Sequence, residues 1–167
     1  MSGAAGRVRP GETRDIPAIM TLLVQVGLVH HKGRPDLFGS GTKYTTAQLS
    51  EILGDESTPV FVFEDEGGDV LGHAFCVFQQ ILDDNIRTPV KTLYIDDICV
   101  DEAHRGQQVG KALYDHVLAF AREQGCYNVT LNVWSCNPGA MRFYQALGMV
   151  PQKVGMETIL VPEKFPE

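Results

Sequence analysis

The sequence predicts an α+β fold in which a mixed, mostly antiparallel sheet carries helices on both of its faces. Two patterns support this prediction. Apolar runs at residues 60–63 and 70–78 flank the turn-forming residues 65–69, which indicates an antiparallel hairpin. A strand over residues 92–100, a long amphipathic helix and an alternating strand over residues 128–133 then indicate one right-handed parallel β-α-β crossover.

The elements before the hairpin follow from short periodic segments. A short strand is predicted at residues 7–9. Asp15 then precedes a helix whose apolar residues fall on one face, namely Ile16, Ile19, Leu22 and Leu23. Residues 30–44 are rich in glycine and polar side chains and show no period, which predicts a loop. Thr46 is expected to cap a second helix over residues 47–53, which ends near Gly54.

The crossover helix has the clearest pattern in the chain, because its apolar residues recur at i, i+3 and i+4 between residues 109 and 121. Gly125 lies where a glycine would end that helix. Asn137 and Pro138 are expected to open another helix, and Gly148 to close it. A final pair of strands is predicted within residues 149–161, which gives the order β-α-α-β-β-β-α-β-α-β.

Length and composition limit the class of protein. The chain has 167 residues, which predicts one domain over residues 1–167 with a core at 7–161 and frayed termini. Its 14 Lys and Arg against 21 Asp and Glu give a formal net charge of −7, which argues against a nucleic-acid-binding protein. No apolar run is long enough to span a membrane, and residues 1–10 lack the apolar core of a signal peptide.

The cysteines indicate a compartment. Cys76, Cys99, Cys126 and Cys136 are scattered along the chain and form no C-x-x-C pair. This pattern is typical of reduced thiols and not of a disulfide framework, so we expect a cytoplasmic protein.

Residues 98–111 carry the main functional pattern. They are predicted to form a strand end, a short loop and a helix start, where unpaired amides and the helix dipole can bind an anion. Gly106 and Gly110 would let a phosphate approach the backbone closely. Alternatively, Gly106 only permits a turn and Gly110 only packs the helix. Neither the nucleotide loop G-x-x-x-x-G-K-[ST] nor the dinucleotide pattern G-x-G-x-x-G is present.

Two segments resemble motifs of the GNAT acetyltransferase superfamily. Residues 105–110, RGQQVG, resemble its acyl-CoA loop R-x-x-G-x-G/A. Residues 137–149, NPGAMRFYQALGM, resemble its segment N-x-x-A-x-x-F-Y-x-x-x-G-F. The two motifs occur in the family's order and spacing, and the resemblance extends over about residues 60–160. Gln108 stands where the family usually has glycine, and Met149 stands where it usually has phenylalanine.

The resemblance implies that two parallel strands, residues 92–100 and 128–133, splay apart and admit the pantetheine arm of acetyl-CoA. Backbone groups of residues 98–100 would pair with the pantetheine amides. Amides of residues 105–111 would bind the pyrophosphate, with added charge from Arg105 and Lys111. No metal is implied. The implied cofactor-binding residues are Ile98, Cys99, Val100, Arg105, Gly106, Gln107, Gln108, Val109, Gly110, Lys111, Asn137, Ala140 and Tyr144.

The resemblance also implies catalytic roles. Tyr144 matches the family tyrosine that lies near the thioester sulfur and protonates the departing thiolate, and its alternative role is that of a core aromatic. Asn137 is expected to contact the cofactor, to cap its helix, or to do both. An acidic residue on the 92–100 strand would accept the amine proton, and Asp97 is preferred to Asp96. The alternative for either carboxylate is a structural one, bonded to neighbouring backbone or to an arginine.

Strand alternation sends the side chains of Asp96 and Asp97 to opposite faces of the sheet unless a bulge intervenes. Without a bulge, only one of the two carboxylates would reach the substrate side. The amide of Cys99 is the expected donor to the thioester carbonyl. Its thiol is not favoured as a nucleophile, because a lone cysteine on a strand is usually a small core residue.

The sequence therefore predicts an acetyl-CoA-dependent N-acetyltransferase that transfers the acetyl group directly to a primary amine in a ternary complex. Two alternatives remain open: a non-catalytic acyl-CoA-binding sensor or regulatory module, and a small α/β protein that binds another phosphate ligand. The acceptor is a small-molecule amine or a peptide, and residues 30–44 carry no motif that would identify it. Family members are frequently homodimers, so a homodimer is also an expectation.

Overall fold

The computed structural model describes residues 3–164, and these form five strands and four α-helices. In chain order they are β1 (Gly6–Pro10), α1 (Ile16–Gly33), α2 (Thr46–Leu53), β2 (Val60–Asp65), β3 (Val70–Gln80), β4 (Lys91–Val100), α3 (Val109–Glu123), β5 (Asn128–Leu131) and α4 (Pro138–Ala146). Short 3-10 turns lie at Thr13–Asp15, Glu102–His104 and Pro162–Lys164.

The five strands form one sheet in the order β1-β2-β3-β4-β5. Each neighbouring pair from β1 to β4 is antiparallel, whereas β4 and β5 are parallel. Helix α3 connects β4 to β5, so the parallel pair belongs to a β-α-β crossover. The mixed, mostly antiparallel sheet predicted from the sequence is confirmed.

Helices cover both faces of the sheet, as predicted. On one face, which we call the α3 face, helix α3 packs on a buried cluster that includes Phe61, Leu93, Leu113 and Val117. On the other, the α1 face, helices α1 and α2 pack on a cluster that includes Ile19, Leu23, Leu49, Val62 and Phe75. Phe61 and Val62 are consecutive on β2 and belong to different clusters, as expected of alternating strand side chains. Burial of these two apolar sets is the main favourable contribution to folding.

A buried ion pair fixes the start of α1 against the sheet. The guanidinium of Arg9, on β1, donates hydrogen bonds of 2.8 and 2.9 Å to the two carboxylate oxygens of Asp15. It also donates to Glu64 of β2 at 3.2 Å. Burial is the largest influence on Asp15 and disfavours its charged form. The hydrogen bonds from Arg9, the hydrogen bond from the Glu12 amide and the nearby positive charges together outweigh burial and hold the pKa of Asp15 below its usual value.

Two helix boundaries differ from the sequence prediction. Helix α1 continues to Gly33, so residues 30–33, predicted as the start of a loop, are helical. It ends there because Arg34 precedes Pro35, and a residue before proline is disfavoured in the helical region; Arg34 has a φ of −141°. Thr45, and not Thr46, caps α2, since its hydroxyl accepts a 3.2 Å hydrogen bond from the amide of Gln48.

The C-terminal prediction was wrong in two places. Strand β5 ends at Leu131 and not at residue 133, and residues 149–161 form no strand. This segment is exposed throughout residues 150–161, with Met156 88% and Leu160 87% accessible. A strand needs a paired neighbour as well as a suitable sequence, and Pro151 and Gly155 both weaken a ladder.

Candidate active site

Pairing between β4 and β5 stops halfway along β4. The last paired residues are Ile95 and Leu131, and β4 continues to Val100 while the chain leaves the sheet. Residues 97–100 pair with β3 on one side, and no strand of the described chain pairs their other side. Backbone groups on that open edge can hydrogen-bond an extended ligand. The splayed central strands expected from the sequence are present.

A β-bulge at Asp96 changes where the two predicted carboxylates point. Ile95 pairs with Cys76 and Asp97 pairs with Phe75, so Asp96 is an extra residue on β4. Both carboxylates then contact groups of the α1 face. Asp96 contacts Tyr44, which packs on the α1-face cluster. Asp97 contacts His73, whose ring packs on Phe75 of the same cluster.

Asp96 is fixed to the loop between α1 and α2. It accepts a hydrogen bond of 2.6 Å from the Tyr44 hydroxyl, and the Lys43 ammonium lies 3.0 Å from the same carboxylate. Burial first, and then the hydrogen bond to Asp96, raise the pKa of Tyr44. The loop therefore supplies a neutral donor and a cation to one of the two carboxylates.

Asp97 has a partner that the sequence analysis missed. The Nε2 atom of His73, on β3, lies 3.3 Å from Asp97 Oδ2, and the ring of His73 packs edge-on against Phe75 at 4.6 Å. His73 is completely buried. It is the one polar residue in the apolar part of β3, residues 70–78, and only the register of β3 with β4 brings it to Asp97. No local sequence pattern could have identified this contact.

Tyr144 lies on α4, half-buried, and its hydroxyl makes no hydrogen bond with the described part of the chain. Its ring contacts Phe143 edge-on at 5.0 Å. Burial first, and then the negative charge of Asp97, raise the pKa of Tyr144. The phenol therefore stays protonated at neutral pH and can donate a proton.

The first turn of α4 places Tyr144. The Asn137 side chain accepts a 3.2 Å hydrogen bond from the amide of Ala140, and Pro138 occupies the first helical position. The capping role predicted for Asn137 is confirmed, and a contact of Asn137 or Ala140 with a cofactor stays a prediction.

The loop before α3 has an unusual backbone. Gly106 has a φ of 80° and Gln108 has a φ of 67°, both in the left-handed region. Gln108 thus adopts the conformation for which glycine is favoured, although it carries a side chain. The carbonyl of Gln107 accepts a 2.8 Å hydrogen bond from Ala4. Helix α3 begins directly afterwards at Val109, so its first amides face the end of this loop.

Gly110, Lys111 and Arg105, the other residues of this motif, differ in what they contact. A Cβ atom added at Gly110 would lie 2.9 Å from Cζ of Phe143, so this glycine lets α3 and α4 approach each other. The Lys111 ammonium is 2.6 Å from Asp115 on the exposed side of α3. Arg105 is exposed and forms no ion pair with residues 3–164. The packing alternative for Gly110 is therefore realised, whereas Arg105 is available to an anion.

Cys99 serves the fold through its side chain. Its thiol donates a 3.3 Å hydrogen bond to the carbonyl of Leu22 on α1. Burial raises the pKa of Cys99 to about 12, so the reactive thiolate is scarce at neutral pH. Val100 and Ile98, its neighbours on β4, are half-buried against the α3-face cluster.

An aromatic wall connects the α1–α2 loop to the segment after β5. The ring of Phe38 meets Trp134 edge-on at 5.2 Å and stacks on His30 at 5.0 Å. The amide of Asn132 donates a 3.2 Å hydrogen bond to the hydroxyl of Tyr94 on β4. We call His30, Phe38 and Trp134 the aromatic wall.

The match to known proteins decides the family. The model of the acetyltransferase (GNAT) family matches residues 29–149, which include the open strand, the loop before α3 and Tyr144. The chain belongs to the GNAT family. It is an acyltransferase, and acetyl-CoA is the cosubstrate of this family.

Relatives of this GNAT chain include N-acetyltransferases. Glucosamine 6-phosphate N-acetyltransferase 1 from Oryza sativa subsp. japonica is 30% identical over 155 residues, covering 92% of this chain and 87% of that protein. Thialysine N-epsilon-acetyltransferase from Bos taurus is 28% identical over 135 residues, covering 81% and 72%. The crystal structure of a mutant BH1408 protein from Bacillus halodurans superposes with a TM-score of 0.88 at 28% identity, covering 92% and 98%.

The residues of this GNAT chain fit acetyl-CoA on three structural grounds. The edge of β4 is open over residues 97–100, two left-handed residues shape the loop before α3, and Arg105 beside that loop is available to an anion. Among the described residues, no group of three or more His, Cys, Asp or Glu side chains could hold a metal ion. None of the helices in residues 3–164 is long and apolar enough to cross a membrane.

Proposed function

We propose that the protein transfers the acetyl group of acetyl-CoA to a primary amine by direct attack in a ternary complex. One observation carries this proposal. The Asp97 carboxylate lies on β4 just beyond the last pairing with β5, and it is close enough to the Tyr144 phenol for its charge to raise the pKa of that phenol. Amine acylation by a thioester requires such a pair, a base for the amine proton and an acid for the departing sulfur.

The cosubstrate is held by backbone groups more than by side chains. Ile98, Cys99 and Val100 present their open edge to the pantetheine amides, and the amides of residues 105–111 bind the pyrophosphate. Arg105 adds a positive charge there. Lys111 contributes less, because Asp115 already neutralises it. Supplied with acetyl-CoA, the site receives an activated thioester as the acyl donor.

Asp97 and Tyr144 each carry out one of the two proton transfers. As the bond from the amine nitrogen to the acetyl carbon forms and the carbon–sulfur bond breaks, Asp97 accepts the amine proton. Tyr144 donates its phenolic proton to the departing sulfur. The Cys99 amide donates a hydrogen bond to the acetyl oxygen. Asp96 is the alternative base, but Tyr44 and Lys43 already occupy its carboxylate, which favours Asp97.

The acceptor enters from the α1 face. Asp96 and Asp97 bring two carboxylates to this side, which favours a cationic amine, and the aromatic wall gives that side an apolar border. The acceptor is thus a small-molecule amine or a peptide amine. Relatives named for glucosamine 6-phosphate and thialysine support small amines as the first ones to screen.

The experiment is a thiol-release assay with acetyl-CoA and a panel of amines, combined with thermal melting. Acetyl-CoA at 100 times its Kd should stabilise the protein by about 2.7 kcal/mol, whereas ATP and NAD should not. Free thiol should then appear only when an amine is added. Stabilisation without amine-dependent thiol release from any amine would favour the acyl-CoA sensor. Stabilisation by nucleotides alone would favour another phosphate ligand.

We also infer a homodimer. Residues 150–161 are exposed and include Val150, Val154 and Met156, and the outer side of β5 is unpaired within the described chain. Two copies can cover both features reciprocally if the segment of each lies along β5 of the other. Light scattering should give twice the 18.4 kDa of one chain, and a mass of 18.4 kDa would contradict the dimer.

For the compartment, we propose the cytoplasm. All four cysteines are free thiols, and one of them, Cys136, is exposed. An exposed free thiol is typical of proteins that work in a reducing environment.

A further inference from the structure

His73 is an exception within the core of this protein. It is completely buried on β3, and its Nδ1 atom is the single buried side-chain nitrogen or oxygen of the described residues without a hydrogen-bond partner. Its Nε2 atom makes the one polar contact of the ring, 3.3 Å from Oδ2 of Asp97. Burying a polar group with an unpaired atom costs free energy, so an apolar residue would serve packing alone better.

The surroundings define the protonation state of the ring. An imidazolium would carry N–H groups on both nitrogens and would leave the one at Nδ1 buried without an acceptor. The neutral form with its proton on Nδ1 also leaves that N–H without an acceptor, and it directs the lone pair of Nε2 at the Asp97 carboxylate. The neutral form with its proton on Nε2 has neither of these unfavourable contacts. In that form His73 donates to Asp97.

The contact leaves one oxygen of Asp97 for chemistry. Oδ2 accepts from His73, and Oδ1 makes no hydrogen bond with the described residues. Other titratable groups near this pair are Tyr144 of α4, whose pKa is raised by the charge of Asp97, and Cys99 of β4. Asp96, the neighbour on β4, is occupied by Tyr44 and Lys43. None of these groups donates to Asp97, so among the described residues His73 is the group that orients its carboxylate.

We propose that His73 is a positioning residue for acetyl transfer: its Nε2–H holds Oδ2 of Asp97 and thereby directs Oδ1 toward the amine. This inference rests on the proposed function, in which Asp97 accepts the amine proton. His73 itself does not contact the substrates.

Two substitutions separate positioning from packing. His73→Gln keeps an N–H donor near the Nε2 position, whereas His73→Leu fills a similar volume without a donor. We expect kcat to fall about tenfold or more in His73→Leu and to stay within about threefold in His73→Gln, in keeping with the usual size of proton-transfer effects. The KM for acetyl-CoA should not change in either.

Other outcomes would overturn the inference. Equal losses of kcat in both variants would assign His73 to packing only, and wild-type kcat in a folded His73→Leu would remove any role. If His73→Leu does not fold, His73→Met is the second donor-free variant. In an Asp97→Asn background, His73→Leu should add less than about twofold, because coupled residues are not additive.

A measurement without turnover distinguishes this inference from the proposed function. Nitrogen-15 NMR of the imidazole should show the neutral form protonated at Nε2 in the wild-type protein at pH 7. A proton on Nδ1, or on both nitrogens, would overturn the inference whatever the enzyme does. Failure of the wild-type protein to acetylate any amine, with the expected NMR signal, would instead refute the proposed function and with it the catalytic purpose of the contact.

Discussion

The Tyr44 hydroxyl donates a 2.6 Å hydrogen bond to the Asp96 carboxylate and thereby joins the α1–α2 loop to the bulge of β4. Asp96 has its side chain on this face because the bulge inserts it as an extra residue. The loop and the bulge therefore depend on each other. At the other end of the loop, Phe38 packs on Trp134, so the loop is attached to β4 at one end and to the segment after β5 at the other.

Removal of this hydrogen bond should impair acceptor binding more than cosubstrate binding. In Tyr44→Phe, the hydrogen bond between the loop and the Asp96 carboxylate of β4 is lost. Of the two described partners of that carboxylate, the Lys43 ammonium remains. We expect the KM for the amine to rise about three- to tenfold, the effect of losing one ordinary hydrogen bond that holds the loop in place. Steady-state kinetics at saturating acetyl-CoA would measure it. A rise confined to the KM for acetyl-CoA would contradict the assignment of this loop to the acceptor.

Tyr144→Phe should lower kcat by about 100-fold, the usual size of general-acid catalysis, and leave the Kd for acetyl-CoA within a few-fold. The physical reason is that the hydroxyl makes no hydrogen bond with the described residues, so its removal costs the fold little. Stopped-flow or steady-state thiol release would measure kcat. Tyr114→Phe is the matched control, because Tyr114 is a buried tyrosine of α3. An unchanged kcat in Tyr144→Phe would remove Tyr144 from the mechanism.

Much of the fold could be predicted because its elements have strong local patterns. The hairpin of β2 and β3 and the crossover helix α3 follow from the period of their apolar residues. The loop and helix that carry Arg105 and Tyr144 could be identified from two short motifs. These features depend on residues close together in the chain, where sequence patterns are most informative.

The features of the fold and the site that could not be predicted from the sequence depend on contacts between distant segments of the chain. The bulge at Asp96 is a one-residue offset between β3 and β4, and either register suits an apolar strand. His73 resembles any core residue until β4 is placed beside it. Residues 149–161 have apolar side chains suited to strands, but whether they form strands depends on a partner edge, which no local pattern records.

Gly110 should contribute to stability, in addition to any role at a phosphate. A Cβ atom there would lie 2.9 Å from Cζ of Phe143, a partly exposed ring that can yield in part, so Gly110→Ala should destabilise the protein by about 1 kcal/mol, the low end of overpacking. Denaturant unfolding would measure the loss. Gly155→Ala is the control, since nothing lies within 4 Å of that position. The loss should be smaller in a Phe143→Leu background, and an equal loss there would show that Phe143 is not the obstacle.

The Arg9–Asp15 pair should make stability depend on pH in the acidic range. The pKa of Asp15 is lower in the folded protein than in the unfolded chain. Its contribution is therefore complete above the unfolded value of about 3.9 and is lost as pH falls through the lower folded value. Asp15→Asn should cost about 3 kcal/mol at pH 7, as expected for breaking a buried ion pair.

Urea unfolding at pH 7 and at pH 2.5 would test this linkage. The difference between wild type and Asp15→Asn should shrink at the lower pH, because protonated Asp15 resembles asparagine in charge. Glu12→Gln is the control, since the Glu12–Arg14 pair is exposed and should contribute little at either pH. A difference that stays constant between the two pH values would show that charge is not the basis of the stabilisation.

Arg105→Ala should weaken acetyl-CoA binding and leave the fold intact. Arg105 is exposed and forms no ion pair with residues 3–164, so its removal leaves no buried partner unsatisfied. Loss of one charge-assisted hydrogen bond to a phosphate corresponds to a rise in Kd of about tenfold. Isothermal titration calorimetry would measure Kd, and raising the salt concentration should weaken wild-type binding more than that of the variant. Arg122→Ala, at the opposite end of α3, removes the same charge far from the loop and should leave Kd unchanged; equal effects in the two variants would mean that net charge, and not Arg105 at the loop, attracts the cosubstrate.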